Sequence, residues 1–471
     1  MRSIKRLLER SWLSPGAWVI TLLGIFSTVA IALWRIPPRV GMPFWLFALN
    51  HEQLYSGIIE RWNHEHANPA EHISPLVISV PALERRLLSG FLSNTAVPDL
   101  TEVESIMASR FFSGPLDAVG FADLTDILQR EGLMSQINPP SFSPWTTRGH
   151  IFGLPHDVHP VLLAYRSDIV EAAGIDVNRI ETWDDFVRIM RPLMPVNPRT
   201  GYPDRYLVSV WETSVYAIDI LLLQAGSGFF DEAGKPAMNS PANVKVISTI
   251  ISWVSGPNRI ATNAPPFDAE GNQKFLDGYV LCNLMPDWMA GLWMKDLPGL
   301  AGKVKLMPIP AWEKGGRRTS VQGGTMIAFP KRSKNFEQSW EFAKRLYLSP
   351  ELAVGLYNRT GIISPVRANW TNPVYDAPNP YFAGQANGRL YINAAPDVPN
   401  RPSSPYKVIA LTRMIEAATK LKRIAEERGI FDPAQLAPLV KSELDDAQTY
   451  MEQKMSANAF LESDQPAAPN K

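Results

Sequence analysis

The chain is 471 residues long and sets 46 Lys and Arg against 46 Asp and Glu, a formal charge of zero. That balance excludes a protein built to coat nucleic acid or to ride a membrane surface on basic residues, since both need clustered positive charge. With 45% hydrophobic and 20% charged residues the body is a folding sequence, not a disordered one. A single core stops growing at roughly 250–300 residues, so two lobes are expected.

The N-terminus carries Arg2, Lys5, Arg6 and Arg10 against Glu9 alone, and residues 15–34, PGAWVITLLGIFSTVAIALW, then run without a charge. Such a run matches a hydrocarbon core of roughly 30 Å at about 1.5 Å per residue. The basic flank predicts the N-terminus inside and the body outside. Residues 1–41 read as an uncleaved transmembrane anchor, because the stretch continues through Leu33 and Trp34, or as a signal peptide cut after Ala32 in Ala30-Ile31-Ala32. Either way the body is expected at the periplasmic or extracytoplasmic face, anchored by this helix or released from it. With no cysteine nearby, lipid attachment through an N-terminal cysteine is excluded.

Residues 44–48 predict a short strand. Asn50 then caps a helix with Gln53 as capping-box partner, and Leu54, Tyr55, Ile58, Ile59 and Trp62 form its apolar face. Strands are expected at 76–80 and 99–103, with a helix at 84–92 between them. A segment from Ile151 leads into a strand at 161–165, and Ser167 caps a helix that stops at Gly174. Thr182-Trp183-Asp184-Asp185 opens another helix, and Ser240-Pro241 opens one that Gly256 ends. Strands at 304–307 and 325–329 and a helix from Ser349-Pro350 follow. The alternation predicts an α/β class with largely parallel pairing. Residues 364–405, rich in Pro, Asn and Tyr, read mostly as loop. A helix at 405–428 with Val408, Leu411, Ile415 and Ala418 on one face ends at Gly429. A second, from Asp432-Pro433, turns Leu436, Val440, Leu444, Ala447 and Met451 inward, completing a helical hairpin. The polar tail, 457–471, is expected to be disordered.

Catalytic signatures are missing. The chain has no phosphate-cradling GxxxxGKS/T, no GxGxxG opening a helix and no GxSxG elbow. The scattered carboxylates carry no pairing information. Cys282, the single cysteine, sits in the apolar run 280–284 and reads as a buried thiol. His64, His66 and His72 read better as solvated side chains than as zinc ligands, and His156 and His159 as solvated or pocket-lining. No metal and no cofactor are expected.

One ordered set of motifs is specific. Residues 153–175, GLPHDVHPVLLAYRSDIVEAAGI, combine a Gly-Leu-Pro turn, an apolar strand ending in Tyr165, and a helix closing on Ala-Gly-Ile. Trp183-Asp184-Asp185-Phe186, the glycine turn before Phe229-Phe230-Asp231, and Met285-Pro286-Asp287-Trp288 come next. Gly323-Gly324 opening a late strand, a helix over 334–346, and Thr360-Gly361 to Ser364-Pro365 complete the series. The series, covering about 42–456, resembles family 1 extracellular solute-binding proteins of ABC importers. Arg166 stands where many members have Asn, and Asp287 replaces a small residue.

The resemblance implies a two-lobed periplasmic-binding-protein type II fold of α/β class, its lobes joined by three hinge crossings, behind the N-terminal transmembrane or signal helix. Crossings are expected near 151–157, 307–312 and 358–365. Lobe one is then 42–156 plus 312–360, and lobe two 157–311 plus 361–456. The implied function is a monomeric, non-enzymatic receptor that closes by hinge motion on a small solute, a carbohydrate, and delivers it to the membrane subunits of an ABC permease. Nucleic acid is not a partner, and the membrane is met only through the N-terminal segment. A non-sugar ligand such as glycerol phosphate or a polyamine, a membrane-tethered glycan-active enzyme, and a sensor signalling through a partner are the alternatives.

A sugar site wants Asp, Glu, Asn or Arg at its edges and Trp or Tyr as its floor, at the C-terminal ends of strands. The candidates are Asn50 and His51 after the first strand, Glu104 after the third, His156 and Asp157 at the first crossing, and Trp211 before a helix. Asp287 and Trp288 follow the strand ending at Met285, Gly323 and Gly324 permit close backbone approach, and Arg359 would serve a phosphate-bearing solute. Structural alternatives stand beside them: Asn50 as helix cap, Asp157 as partner of hinge backbone, Trp211 as core, the two glycines as turn formers.

Overall fold

The computed structural model describes residues 14–33, 40–93 and 95–458. The basic flank, Trp34 and the tail from 459 onward lie outside the described residues. The chain divides into two units, residues 1–41 and 42–471. In the first, the uncharged run forms a 19-residue helix, Pro15–Leu33, roughly 28 Å long and just short of a hydrocarbon core of roughly 30 Å. Among the described residues no helix is long and apolar enough to cross a membrane, so the fold does not support the span expected over 15–34.

The body is built on two mixed sheets. The first orders its strands as Ile73–Val77, Met42–Leu46, Leu100–Glu104, Thr325–Ala328 and Leu154–Pro155. The second runs Val304–Met307, Pro160–Arg166, Val280–Pro286, Tyr206–Ser209 and Ala261–Thr262, with Ser320–Val321 paired to Pro160–Arg166. Pairing is parallel where each sheet winds locally, as between Met42–Leu46 and both its neighbours. It is antiparallel where a strand returns from the other sheet, as for Thr325–Ala328 on Leu100–Glu104 and for Pro160–Arg166 on Val280–Pro286. The expectation of largely parallel pairing fails for that reason.

Period-two alternation explains the layers. Along Pro160–Arg166, Val161, Leu163 and Tyr165 enter one core, while Leu162 and Ala164 enter the core on the opposite face. Along the first strand, Phe44 and Leu46 face one core and Trp45 the other. The helical hairpin, Lys407–Arg428 and Pro433–Ser456, closes the outer core of the second sheet with Met414, Leu421, Leu436, Val440, Leu444 and Met451. On its first helix the buried stripe is Ala410, Met414, Ala417 and Leu421. Val408, Leu411 and Ile415, expected inward, are only partly covered. Residues 364–405 are less looped than expected, holding the helix Asn387–Ala394.

Three helix starts follow the capping chemistry read from the sequence. Thr182 and Asp185 form a reciprocal capping box, Ser240 accepts from Asn243 N–H, and Ser349 accepts from Leu352 N–H. Asn50 does not cap: its helix is Leu49–Glu65, Ala48 occupies the cap, and Asn50 lies exposed inside the first turn. The second crossing also falls later than 307–312. Residue Ala311 still pairs with Thr182, and Ser320 with Val161, so residues 312–321 remain hydrogen-bonded to the second sheet's side and the chain returns over 322–324.

The capping box gives a direct test. Thr182→Ala should lower unfolding free energy by about 1 kcal/mol, read by urea unfolding of the body at unchanged m-value.

Candidate functional site

The crossings lie side by side. The first, 156–159, joins Leu154–Pro155 to Pro160–Arg166. It is flanked by the second, 322–324, and the third, 361–365. Gln322 N–H donates to His159 O at 3.3 Å, His156 N–H to Thr325 O at 2.9 Å, and Val158 N–H to Ile363 O at 3.2 Å.

A buried chain of ionisable groups locks this bundle. His159 Nδ1 sits 2.7 Å from Asp287 Oδ1 and its Nε2 3.1 Å from Asp157 Oδ2. Both ring nitrogens face carboxylates, the geometry of an imidazolium. Burial works against its charge, but the two carboxylates push its pKa up to about 10. Burial likewise works against the Asp157 carboxylate, yet His159 and His156 hold its pKa well below the usual range. Each carboxylate also reaches another crossing: Asp157 accepts from Thr325 N–H at 3.1 Å, and Asp287 Oδ2 from Ile363 N–H at 2.8 Å. His159 adopts the left-handed region, φ 58°, which costs roughly 1–2 kcal/mol and persists only where the surroundings fix it.

The chain continues into the first lobe. His156 Nδ1 lies 3.0 Å from Asp157, and its Nε2 3.0 Å from the Tyr55 hydroxyl. Tyr55 and Tyr347 donate to Glu102 Oε1 at 2.6 and 3.0 Å, and His51 Nδ1 is 3.0 Å from Glu102 Oε2. Burial lowers the pKa of His156. For His51 burial pulls the same way, but contact with Glu102 raises it overall. Ligating atoms of His51, Glu102 and His156 come within 4.8 Å of one another, so the set could hold a cation. Their hydrogen bonds to each other and to the tyrosines already account for them.

Beside the crossings the second lobe presents aromatic side chains. Trp211 follows Tyr206–Ser209, and Trp288 follows Val280–Pro286 on the helix Asp287–Asp296. Trp288 Nε1 donates to Gln322 O at 3.0 Å, and its ring lies parallel to Phe267, centroids 5.9 Å apart. Phe267 in turn meets Tyr216 edge-on at 5.6 Å. Trp211, Tyr216 and Phe267 enclose a gap of only about 30 Å³. Gly323 and Gly324 have φ of 106° and 124°, and a Cβ on Gly323 would stand 2.8 Å from His159 and 2.9 Å from Trp288. A cavity of about 660 Å³ lies elsewhere, between the helices Trp183–Met190 and Pro241–Val254, and touches no crossing.

The candidates named from sequence thus separate. Trp211, Trp288, Gly323, Gly324 and, on the first lobe, Glu104 gather beside the crossings. His51, His156, Asp157 and Asp287 are buried, with polar atoms spent on one another, and show a solute no open surface. Asn50 and Arg359 are exposed, on the helices Leu49–Glu65 and Pro350–Thr360. His64 is exposed, whereas His66 and His72 are half-buried and hydrogen-bond Trp62 O and His66 O at 2.8 Å each; His156 and His159, read as solvated or pocket-lining, belong to the buried chain. Sequence reasoning missed Tyr216 and Phe267, which carry no motif, and Glu102, which alternates with Leu100 and Glu104 in a strand whose mixed polarity does not mark it as buried. The repeat His156-x-x-His159 was the one available signal for the lock.

A sequence profile of bacterial extracellular solute-binding proteins matches residues 79–351. The chain belongs to this family. Similar relatives are arabinooligosaccharide-binding proteins of Halalkalibacterium halodurans, 26% identical over 72% of this chain and 74% of that one, and of Bacillus subtilis, 28% identical over 64% and 67%. The solved structure of the sugar-binding protein MalE from Xanthomonas citri superposes with a TM-score of 0.70 at 17% identity, covering 88% of this chain and 99% of that one, which shows the shared fold. Members of this family are solute-binding proteins of the ABC type, and their two-lobed mixed α/β fold is the one described above.

The lock sets a pH dependence. The His159 contribution to stability is complete below the ordinary histidine value of 6.5 and is lost as pH rises through about 10. The Asp157 contribution is complete above 3.8 and lost as pH falls below it. His159→Asn, which keeps a residue tolerant of positive φ, leaves two buried carboxylates uncompensated. At pH 6 it should cost about 3–5 kcal/mol, and thermal unfolding from pH 6 to 10 should show the wild-type midpoint falling far more than the variant's.

Proposed function

We propose that the protein is an extracytoplasmic receptor that binds a carbohydrate between its lobes, closes on it by bending the three crossings, and hands it to an ABC permease. The observation that carries this reading is the aromatic group Trp211, Tyr216, Phe267 and Trp288 beside the crossings, facing the glycine turn and Glu104. Aromatic faces pack against the C–H surfaces of sugars, and polar edges take hydroxyls. Closure would convert contacts made by one lobe into contacts made by both, so the solute shifts the population toward the closed form. The names of the arabinooligosaccharide-binding relatives support the ligand class. The N-terminal helix directs the body across the membrane.

Thermal unfolding of residues 42–471 with arabino-oligosaccharides, maltose, lactose and lacto-N-biose tests the reading. A bound sugar at 100 times its Kd adds about 2.7 kcal/mol, a clear rise in midpoint, with no turnover of the sugar. A rise confined to charged solutes would overturn it. Trp288→Ala and Trp211→Ala should each weaken the bound sugar by about tenfold or more, near 1.4 kcal/mol.

A further inference from the structure

A segment of the second lobe leaves that lobe and rests on the other. Ala395 and Val398 belong to the core on one face of the second sheet, and Ala410 to the core on its opposite face. The chain between them therefore rounds the sheet, and Lys407, at the start of the next helix, fixes its far end through Asp219 at 2.9 Å. Pro399, Pro402 and Pro405 each fix a φ angle, so the run is stiff. On its way it meets the first lobe at the short helix Pro139–Trp145, whose Phe142 and Trp145 lie in that lobe's cores. Asn138 Nδ2 donates to Ala395 O at 3.0 Å, and Arg401 N–H to Ser143 Oγ at 2.8 Å. Asn138 is buried, and among the described residues its side chain bonds nothing else.

The same run covers the crossings. Val398, Pro399 and Arg401 close on Asp157 and Val158 of the first crossing and on Gly324 of the second, leaving a gap of only about 10 Å³. Packing that close cannot follow a bend unchanged. Arg401 Nη2 also donates to Gly323 O, a carbonyl that Ser105 Oγ serves as well, at 3.0 Å. Arg401 is 7% exposed, forms no ion pair among the described residues, and leaves its Nε without a partner among them. Burial pulls its pKa down, and Asp219, Asp157 and Glu104 act on it only across space. A buried charge held in this way disfavours the arrangement that buries it.

We infer that residues 395–405 are a strap laid across the crossings, pinned to the first lobe by Asn138 and Ser143 and loosened by the uncompensated charge of Arg401. The strap sets how readily the crossings bend and so how tightly a solute is held between the lobes. This rests on the proposed hinge closure and adds a control to it: two hydrogen bonds favour the arrangement described here, and one charge opposes it. Residues that merely pack would all stabilise that arrangement, so opposite signs within one segment distinguish the strap.

The test is amide hydrogen exchange of the full chain in detergent micelles, without solute, for wild type, for Asn138→Ala combined with Ser143→Ala, and for Arg401→Met. The N–H groups of Val158 and Gln322, which bond from one crossing to another, report the opening of the bundle. They should exchange about fivefold faster in the double variant and about threefold slower in R401M. In R401M the unbranched side chain keeps the packing and Ser105 still serves Gly323 O, so the unfolding midpoint should stay level or rise. Exchange within twofold of wild type in the double variant overturns the strap. Faster exchange at the crossings in R401M also overturns it, since Arg401 would then be a third pin. Equal acceleration throughout both lobes does the same, because the variants would then have weakened the fold as a whole. With arabinotriose as the probe, Kd should rise in the double variant and fall in R401M, following the fraction of chain already in the solute-holding arrangement. Exchange that shifts as expected beside a Kd within twofold of wild type overturns the link to the solute. Failure of arabinotriose, maltotriose and lactose to bind any of the three proteins overturns the carbohydrate reading, and the exchange result still decides the strap.

Discussion

A single buried imidazolium holds the two lobes in register. His159 lies between Asp157 and Asp287, and each carboxylate spends a remaining lone pair on a backbone N–H of a different crossing. One charge therefore gathers three chain segments that have no covalent link at that level. In a low-dielectric interior such an arrangement tolerates no half measures: every member is paired, or the loss of one leaves its partners stranded. The left-handed backbone at His159 fits the same logic, since only the two ion pairs aim its ring at both carboxylates at once.

The lock also explains where the molecule can and cannot meet a solute. From His51 through Glu102, Tyr55 and His156 to Asp287, buried side chains are hydrogen-bonded to one another without a break. A few ångströms away, around the glycine turn 323–324, the accounting is different. There the backbone carbonyl of Gly323 receives both Ser105 and Arg401, the aromatic rings stand partly uncovered, and Arg401 Nε is left over. The glycine turn separates the two because positive φ lets its backbone pass within reach of His159, Trp288 and Arg401, where a Cβ would collide.

Much of the fold was legible from local chemistry. The capping box at Thr182, the Ser-Pro starts at Ser240 and Ser349, the left-handed Gly429 and the second hairpin helix with its inward stripe all follow from residues within a turn or two of each other. The misses have physical causes as well. Asn50 carried a cap signal, but Ala48 had already adopted the extended cap backbone, so the helix began before Asn50 could serve. The inward stripe of Lys407–Arg428 is rotated from the one expected: Ala418 is buried as expected, but with Ala410, Met414, Ala417, Leu421 and Ala425, while Val408, Leu411 and Ile415 are only partly covered. The second crossing came late because a two-residue strand, Ser320–Val321, adds itself to the second sheet, and so short a strand leaves no periodicity.

By itself the sequence determined the class of the protein: an α/β body and an ordered set of turns and strand ends shared with bacterial extracellular solute-binding proteins. These are properties of spacing and of neighbours along the chain. Only the tertiary structure decided which polar residues are locked together where the crossings meet and which are not. His156 and Asp157 look like ligand contacts in a motif, and Arg401 looks like nothing at all. Their partners lie 78 to 168 residues away, Gly323 for Arg401, Tyr55 for His156 and Thr325 for Asp157. A charge becomes a strut or a binding group according to whether the fold brings it a counter-charge or leaves it open to a cavity, and that is settled in space, not along the chain.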